Sequence, residues 1–150
     1  MRALVIDNES EIRNSLIELI TAFCPEVIEI SSADSVMDGI DKIKIFKPDL
    51  VLLDVELGDG TGMDLLSKIV KINFQVIFIT AYNKYAVDAF KFSAIDFLLK
   101  PINPEELVIA VNKVKDKIKN NDILQQLSIL TENFTLAFTA ENKIVLKDAE

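Results

Sequence analysis

Hydrophobic and polar positions follow two rhythms along the chain. Short apolar runs rich in β-branched residues occupy positions 3–6, 27–30, 50–53, 76–79 and 95–99. Continuous runs of this length, without polar alternation, predict strands buried on both faces, as in a parallel sheet covered by helices. Between them, apolar residues recur at three- and four-residue spacing, which gathers them on one side of a helix. Ile12, Leu16, Leu19, Ile20 and Phe23 make the first such stripe, and Val36, Ile40 and Ile43 the second. Met63, Leu66 and Val70 make the third. Tyr82, Tyr85, Ala86, Ala89 and Phe90 make the fourth, and Leu107, Ala110, Val111, Val114 and Ile118 the fifth.

Local punctuation agrees with this alternation. Asn103 is placed to cap a helix that opens with Pro104 and carries an acid, Glu106, at its third position. Pro48 ends the second helix before the third strand. Gly58, Gly60 and Gly62 cluster in one loop between Asp54 and the third helix. Strand–helix alternation over residues 1–120 predicts one doubly wound α/β domain. Its expected form is the flavodoxin-like (βα)5 fold, a five-stranded parallel sheet of order 2-1-3-4-5.

The character changes after Lys119. Asn120, Asn121 and Asp122 form a polar break, and Ile123, Leu127 and Leu130 then repeat at helical spacing. Positions 134–138 and 143–147 look like weak strands. Residues 121–150 are therefore expected to be a linker and the opening of a second domain that is mostly absent.

Composition narrows the function. The 150 residues carry 16 Lys+Arg and 24 Asp+Glu, a net charge of −8, with half of all positions hydrophobic. A chain this apolar can bury a core, so intrinsic disorder is excluded. Its negative charge disfavours nucleic-acid binding through a basic surface. The absence of His removes Ser-His triads, His-ligated zinc and phosphohistidine. A single cysteine, Cys24, rules out an intrachain disulfide and fits a reducing compartment. No apolar run approaches the ~20 residues of a bilayer span. The opening MRALVIDNE turns acidic too soon for a signal peptide. The expectation is a soluble, cytoplasmic protein.

Ligands of open parallel α/β sheets bind beyond the carboxyl ends of the strands. Asp7, Asn8 and Glu9 follow the first run, and Asp54, Val55 and Glu56 follow the third. Thr80 and Ala81 follow the fourth, and Lys100 and Pro101 the fifth. The order 2-1-3-4-5 would bring acid, acid, hydroxyl and ammonium to one edge. Carboxylates around an open site suit Mg²⁺, a hard cation that keeps several waters. Asp54 is ionised without help from a base and can act as a nucleophile. Mg²⁺ and Lys100 would offset its repulsion from an incoming phosphoryl group. Thr80 could bond a phosphoryl oxygen. The set points to phosphoryl transfer onto an aspartate.

The pieces LVIDNE, DLVLLDVELGDGTG, FITAY and DFLLKP, in this order and spacing, resemble the receiver domain of bacterial two-component response regulators. The resemblance covers residues 1–120. The segment AYNKYAVDAFKFSAIDFLLKPI further resembles receivers joined to LytTR-type DNA-binding domains, and ENKIVLKDAE resembles the first strand of such a domain. The resemblance implies that Asp54 is the phosphoacceptor. It implies that Asp7, Asn8, Asp54 and the backbone carbonyl of Glu56 hold Mg²⁺. Thr80 and Lys100 would be the switch hydroxyl and lysine, and Phe97 the aromatic that turns inward. Glu56 and Tyr82 would tune dephosphorylation, and the Lys100–Pro101 bond would be cis. The implied partners are a sensor histidine kinase and a second copy, met through the face of the fourth helix, fifth strand and fifth helix. DNA would be met only through the missing C-terminal domain. Such a protein catalyses its own phosphorylation and dephosphorylation and is not a dedicated enzyme. Two positions depart from the family pattern: Asn8 replaces an acid, and Phe97 replaces the commoner Tyr.

Other readings compete at single positions. Asn8 could cap the first helix, with Glu11 completing a capping box. Lys113, Lys115, Lys117 and Lys119 fit a solvated helix face, and Cys24 a small core residue. Two rival functions remain: a receiver-like interaction module that is never phosphorylated, and an aspartate-nucleophile phosphohydrolase. The second normally places D-x-D after the first strand, where this chain has Asp7-Asn8-Glu9.

Overall fold

The computed structural model describes residues 1–82 and 94–142, with the side chains of the last helix placed as far as residue 133. The apolar runs pair as parallel neighbours. β1 (Arg2–Ile6), β2 (Glu29–Ala33), β3 (Leu50–Asp54), β4 (Gln75–Thr80) and β5 (Asp96–Leu99) form one sheet in the order β2-β1-β3-β4-β5. Every residue of β3 is buried, because helices cover both of its faces. Leu4, Ile6, Leu53 and Phe78 lie at the heart of the core. The register pairs Ile6 with Leu53, Asp54 with Ile79 and Thr80 with Leu99. The carboxyl ends of β1, β3, β4 and β5 therefore finish side by side.

The helices follow from their stripes and caps. α1 (Ser10–Phe23) buries Leu16 and Ile20. α2 (Val36–Phe46) begins at Ser35, whose hydroxyl accepts the Asp38 N–H at 3.0 Å. It ends at Lys47 in the left-handed region, directly before Pro48. α3 (Gly62–Ser67) carries a capping box between Thr61 and Asp64. α4 (Pro104–Asn142) starts after Asn103, whose side chain accepts the Glu105 N–H at 2.8 Å. It buries Leu107, Ala110, Val111 and Val114. The chain divides into two compact units, Met1–Lys115 and Asp116–Glu150. Among the described residues no helix is long and apolar enough to cross a membrane.

Four expectations need correction. The second strand is Glu29–Ala33, not 27–30. Ile28 is exposed, and its N–H donates to the Met1 carbonyl ahead of the ladder. β2 is an edge strand, so Ser31 and Ser32 serve where a central strand would need apolar side chains. The third helix stops at Ser67 and leaves Val70 fully exposed. Lys68 and Ile69 bond back to the carbonyls three residues earlier, which tightens and ends it. Asn8 is not the cap of α1; Glu9 is, without a side-chain bond. The Asp7 carboxylate takes the Glu9 N–H at 2.9 Å and delays the helix by one residue. Positions 134–138 are helical, because the stripe of Ile123, Leu127 and Leu130 continues through them at the same spacing. The expected strand at 143–147 and the stripe residues Tyr85, Ala86, Ala89 and Phe90 lie outside the described residues.

Gly62 sets how closely α3 approaches β3. A Cβ there would stand 2.7 Å from the Asp54 carbonyl oxygen and 3.0 Å from Leu53 Cγ. Its N–H donates to the Val55 carbonyl at 2.8 Å. Gly62→Ala is expected to destabilise the domain by about 1–3 kcal/mol through this overlap. Urea unfolding of the two proteins checks this; equal midpoints would mean that the loop yields without cost.

Candidate functional site

Three charged groups meet at the carboxyl edge of the sheet. Asp54, the last residue of β3, is 6% exposed, and Asp7, one residue past β1, is 3% exposed. Lys100, one residue past β5, reaches between them. Its Nζ donates to Asp7 Oδ2 at 2.7 Å and to Asp54 Oδ2 at 2.9 Å. Each carboxylate also accepts a backbone N–H through Oδ1: Asp7 from Glu9 at 2.9 Å and Asp54 from Glu56 at 3.3 Å. The Arg13 guanidinium donates to the Asp7 carbonyl at 2.7 Å and steadies the turn that carries it.

β4 lies between β3 and β5 and contributes Thr80, which is buried. Its Oγ1 accepts the Tyr82 N–H at 3.4 Å, and its carbonyl accepts the Lys100 N–H at 2.8 Å. The Lys100–Pro101 peptide is cis. A cleft of about 410 Å³ opens over these groups, lined by Asn8, Glu56, Thr80, Tyr82 and both Asp54 and Lys100. Phe97 stands two strands from Asp54, on β5, partly buried against the core and paired in register with Phe78 of β4. The expected residues Asp7, Asn8, Asp54, Glu56, Thr80, Tyr82 and Lys100 thus gather at one edge, and Phe97 lies within β5, before the residue that ends it at the site.

The electrostatics follow from burial. Desolvation pushes the Asp54 carboxyl up to about 6; the hydrogen bond from Lys100 opposes this, while the charge of Asp7 adds to it. At neutral pH Asp54 is still largely ionised. Burial on its own would lower the Lys100 ammonium, but its bonds to Asp7 and Asp54 outweigh that and hold it above the usual lysine range. The donors around the cleft are hard oxygens: the buried carboxylates of Asp7 and Asp54, the acids Glu9 and Glu56 at its border, the Asn8 amide and the backbone. Among the described residues no group of three or more acidic, His or Cys side chains forms a closed metal cage. Two carboxylates in an open cleft fit a cation that keeps most of its waters, as Mg²⁺ does.

Asp59 was not expected here. Its carboxylate accepts the N–H groups of Val36 at 2.9 Å and Met37 at 3.3 Å, tying the glycine loop to the start of α2. The bond from Val36 is the largest influence holding its carboxyl below the usual range. The signal was an acid between Gly58 and Gly60, but its partners are more than twenty residues away in sequence.

Comparison with known proteins agrees with the geometry. Residues 3–112 match the family model described as the response regulator receiver domain. The sensory transduction protein LytR of Staphylococcus epidermidis is 40% identical over 127 residues, covering 81% of this chain and 50% of that protein. LytT of Bacillus anthracis is 32% identical over 156 residues, covering 100% of this chain and 63% of its own length. The chain therefore spans half to somewhat under two thirds of these curated relatives. The crystal structure of the response regulator TrrA from Thermotoga maritima, solved in complex with Mg²⁺ and BeF, is 31% identical with a TM-score of 0.67. That match covers 75% of this chain and 97% of TrrA.

The raised Asp54 has a consequence for stability. Unfolded, the carboxyl ionises near its ordinary value of 3.8; folded, it holds its proton up to about 6. The native state binds more protons across that window, so stability falls as pH rises through it and is level above. Asp54→Asn is expected to remove this slope in metal-free buffer and to stabilise the domain at neutral pH by about 1–3 kcal/mol. Thermal or urea unfolding from pH 4 to pH 7 in EDTA, bracketing the shifted value, measures it. A slope of the same size in both proteins would show that Asp54 is not the strained carboxylate.

Proposed function

Because the chain belongs to the response regulator receiver domain family, we propose that Asp54 accepts a phosphoryl group from a separate sensor histidine kinase. The chain has no His of its own to supply one. The observation that carries this reading is the ammonium of Lys100 held between two buried carboxylates at 2.7 and 2.9 Å, with the Thr80 hydroxyl on the intervening strand. An Asp54 carboxylate oxygen attacks phosphorus, a P–O bond forms and the P–N bond to the kinase imidazole breaks. The leaving imidazole takes up a proton from solvent. Asp7, Asn8, Asp54 and the Glu56 carbonyl would hold Mg²⁺, which when bound offsets the charge of the phosphoryl oxygens. Asn8 contributes an amide oxygen without formal charge, so this site leans on Asp7 and Asp54 more than a three-acid site would.

Phosphorylation adds negative charge and acceptor oxygens beside Lys100 and Thr80. Lys100 then shifts its bond from the Asp54 carboxylate to the phosphoryl group, and Thr80 donates to it. Phe97 turns toward the space that Thr80 leaves. Glu56 and Tyr82 border the cleft and set how easily water reaches the acyl phosphate. The domain catalyses its own phosphorylation and dephosphorylation.

The altered face around β5 and the first part of α4 would pair with a second receiver. A C-terminal output domain, of LytTR type, would then bind DNA and regulate transcription in the cytoplasm. Residues 121–142 are its helical linker, and the segment beyond them its beginning. The curated relatives extend well past the matched region, which supports a further domain.

Asn8 favours one second reading, a receiver-like module that works unphosphorylated. Incubation with acetyl phosphate and Mg²⁺ separates the two. The intact mass is expected to rise by one phosphoryl group in wild type and not in Asp54→Asn, and EDTA should prevent the gain. Label surviving in Asp54→Asn would move the acceptor elsewhere, and no label in wild type would favour the unphosphorylated module.

A further inference from the structure

We propose that the cleft between the ends of α2 and α3 docks an acidic segment of a partner protein, anchored by one large apolar side chain. The cleft holds about 650 Å³ and opens at the amino ends of β3 and β4, away from Asp54. It is independent of phosphoryl transfer and of the receiver face named above.

The charge around this cleft is opposite to that of the chain. Lys44, Lys47, Lys68 and Lys71 line it, four of the 16 Lys+Arg in a protein of net charge −8. All four are exposed, and among the described residues none has an ion-pair partner. Asp49, the acid among the described lining residues, already accepts the Arg2 N–H at 2.8 Å through Oδ2. The negative end of α2 accounts for Lys44 in its last turn, but not for Lys71, which lies beyond the end of α3. Uncompensated cations converging on one hollow attract an anionic partner.

The floor of the cleft is apolar. Ile43, Pro48 and Phe74 are buried in its lining, and Val70, shed from the helical stripe where α3 ends early, is fully exposed there. A recessed floor receives an inserted side chain, whereas a flat bilayer would meet the lysines and leave the floor empty. Among the described residues no arginine lines the cleft. The guanidinium fork that grips a phosphate in two places is therefore missing, and separate ammoniums match carboxylates spread along a peptide.

The backbone at Lys47 is a second, independent sign. Its φ is 51°, in the left-handed region. Helices commonly end there in glycine, which adopts that conformation without a Cβ clash. The Lys47 N–H closes α2 on the Ile43 carbonyl at 3.1 Å, a bond that glycine would make equally well. The helix end needs only the backbone at this position, and what lysine adds is an ammonium beside the cleft.

Fluorescence anisotropy of the 150-residue chain with a labelled peptide tests the proposal. The probe is a short peptide of Glu, Asp and Ser carrying one central Phe. Saturable binding is expected, weakening as salt is added and lost when the Phe is replaced by Ser. Lys47→Gly/Lys71→Glu should weaken binding roughly tenfold. Lys119→Glu, the same charge reversal at an exposed position of α4, should leave it unchanged. Lys47→Gly alone should weaken binding yet unfold at the same urea concentration as wild type or a higher one; a lysine kept for the fold would show the reverse. Phosphatidylglycerol vesicles and a single-stranded oligonucleotide are titrated beside the peptide. Binding to either of these in place of the peptide overturns the proposal. So does a peptide that fails to bind, that binds equally without its Phe, or that binds equally to Lys47→Gly/Lys71→Glu.

Discussion

The contact between Lys100 and the carboxylates of Asp7 and Asp54 organises this domain. Two acids buried at 3% and 6% exposure repel each other and have lost most of their water. Such a pair persists only with a cation and hydrogen bonds to replace that water. Lys100 supplies the cation, and the Glu9 and Glu56 amides supply the remaining bonds. The three residues come from three different strands, so the contact exists only if the carboxyl ends of β1, β3 and β5 are level. The order β2-β1-β3-β4-β5 sets β4 between the second acid and the lysine. Thr80 is therefore at the centre of the site, between groups that act on the same ligand.

The loop after β3 shares this constraint. Gly62 lets α3 lie against the Asp54 carbonyl, and Asp59 ties the same loop to the N-terminus of α2. Movement at Asp54 is thus coupled to two helices through short contacts. On the other side, the Lys100 N–H and the Thr80 carbonyl join β5 to β4 directly below the reacting atoms. A charge added at Asp54 acts on groups whose positions are already fixed by packing. Preorganisation of this kind lets a small site pass on a change of charge.

The central strands and the residues that follow them were legible in the sequence because two physical signals coincide there. Full burial on both faces demands unbroken apolar runs, and the polar residue ending each run has no structural need to be Asp, Thr or Lys. Four such endings together carried the chemistry, where Asp54 or Lys100 alone would have read as a solvated charge. The edges were less legible. β2 is covered on one side and open at its rim, so Ser31 and Ser32 satisfy it and the apolar run at 27–30 misleads. The start of α1 depends on the Asp7 carboxylate capturing the Glu9 amide, a local competition that the spacing of Asn8 and Glu11 does not encode. Asp59 acts across a long separation in sequence, which periodicity does not encode. In the tail, the β-propensity of Phe134 and Phe138 suggested a strand, but the stripe begun at Ile123 continued as helix.

The account rests on Lys100 keeping Asp54 ionised inside a site that would otherwise protonate it. Carboxyl-detected NMR titration of Asp54, in wild type and in Lys100→Met without divalent metal, measures this directly. The account predicts a wild-type midpoint near 6, well above the ordinary 3.8, and a higher midpoint once the ammonium is gone. A wild-type midpoint at the ordinary value, or one that does not move when Lys100 is removed, would contradict it.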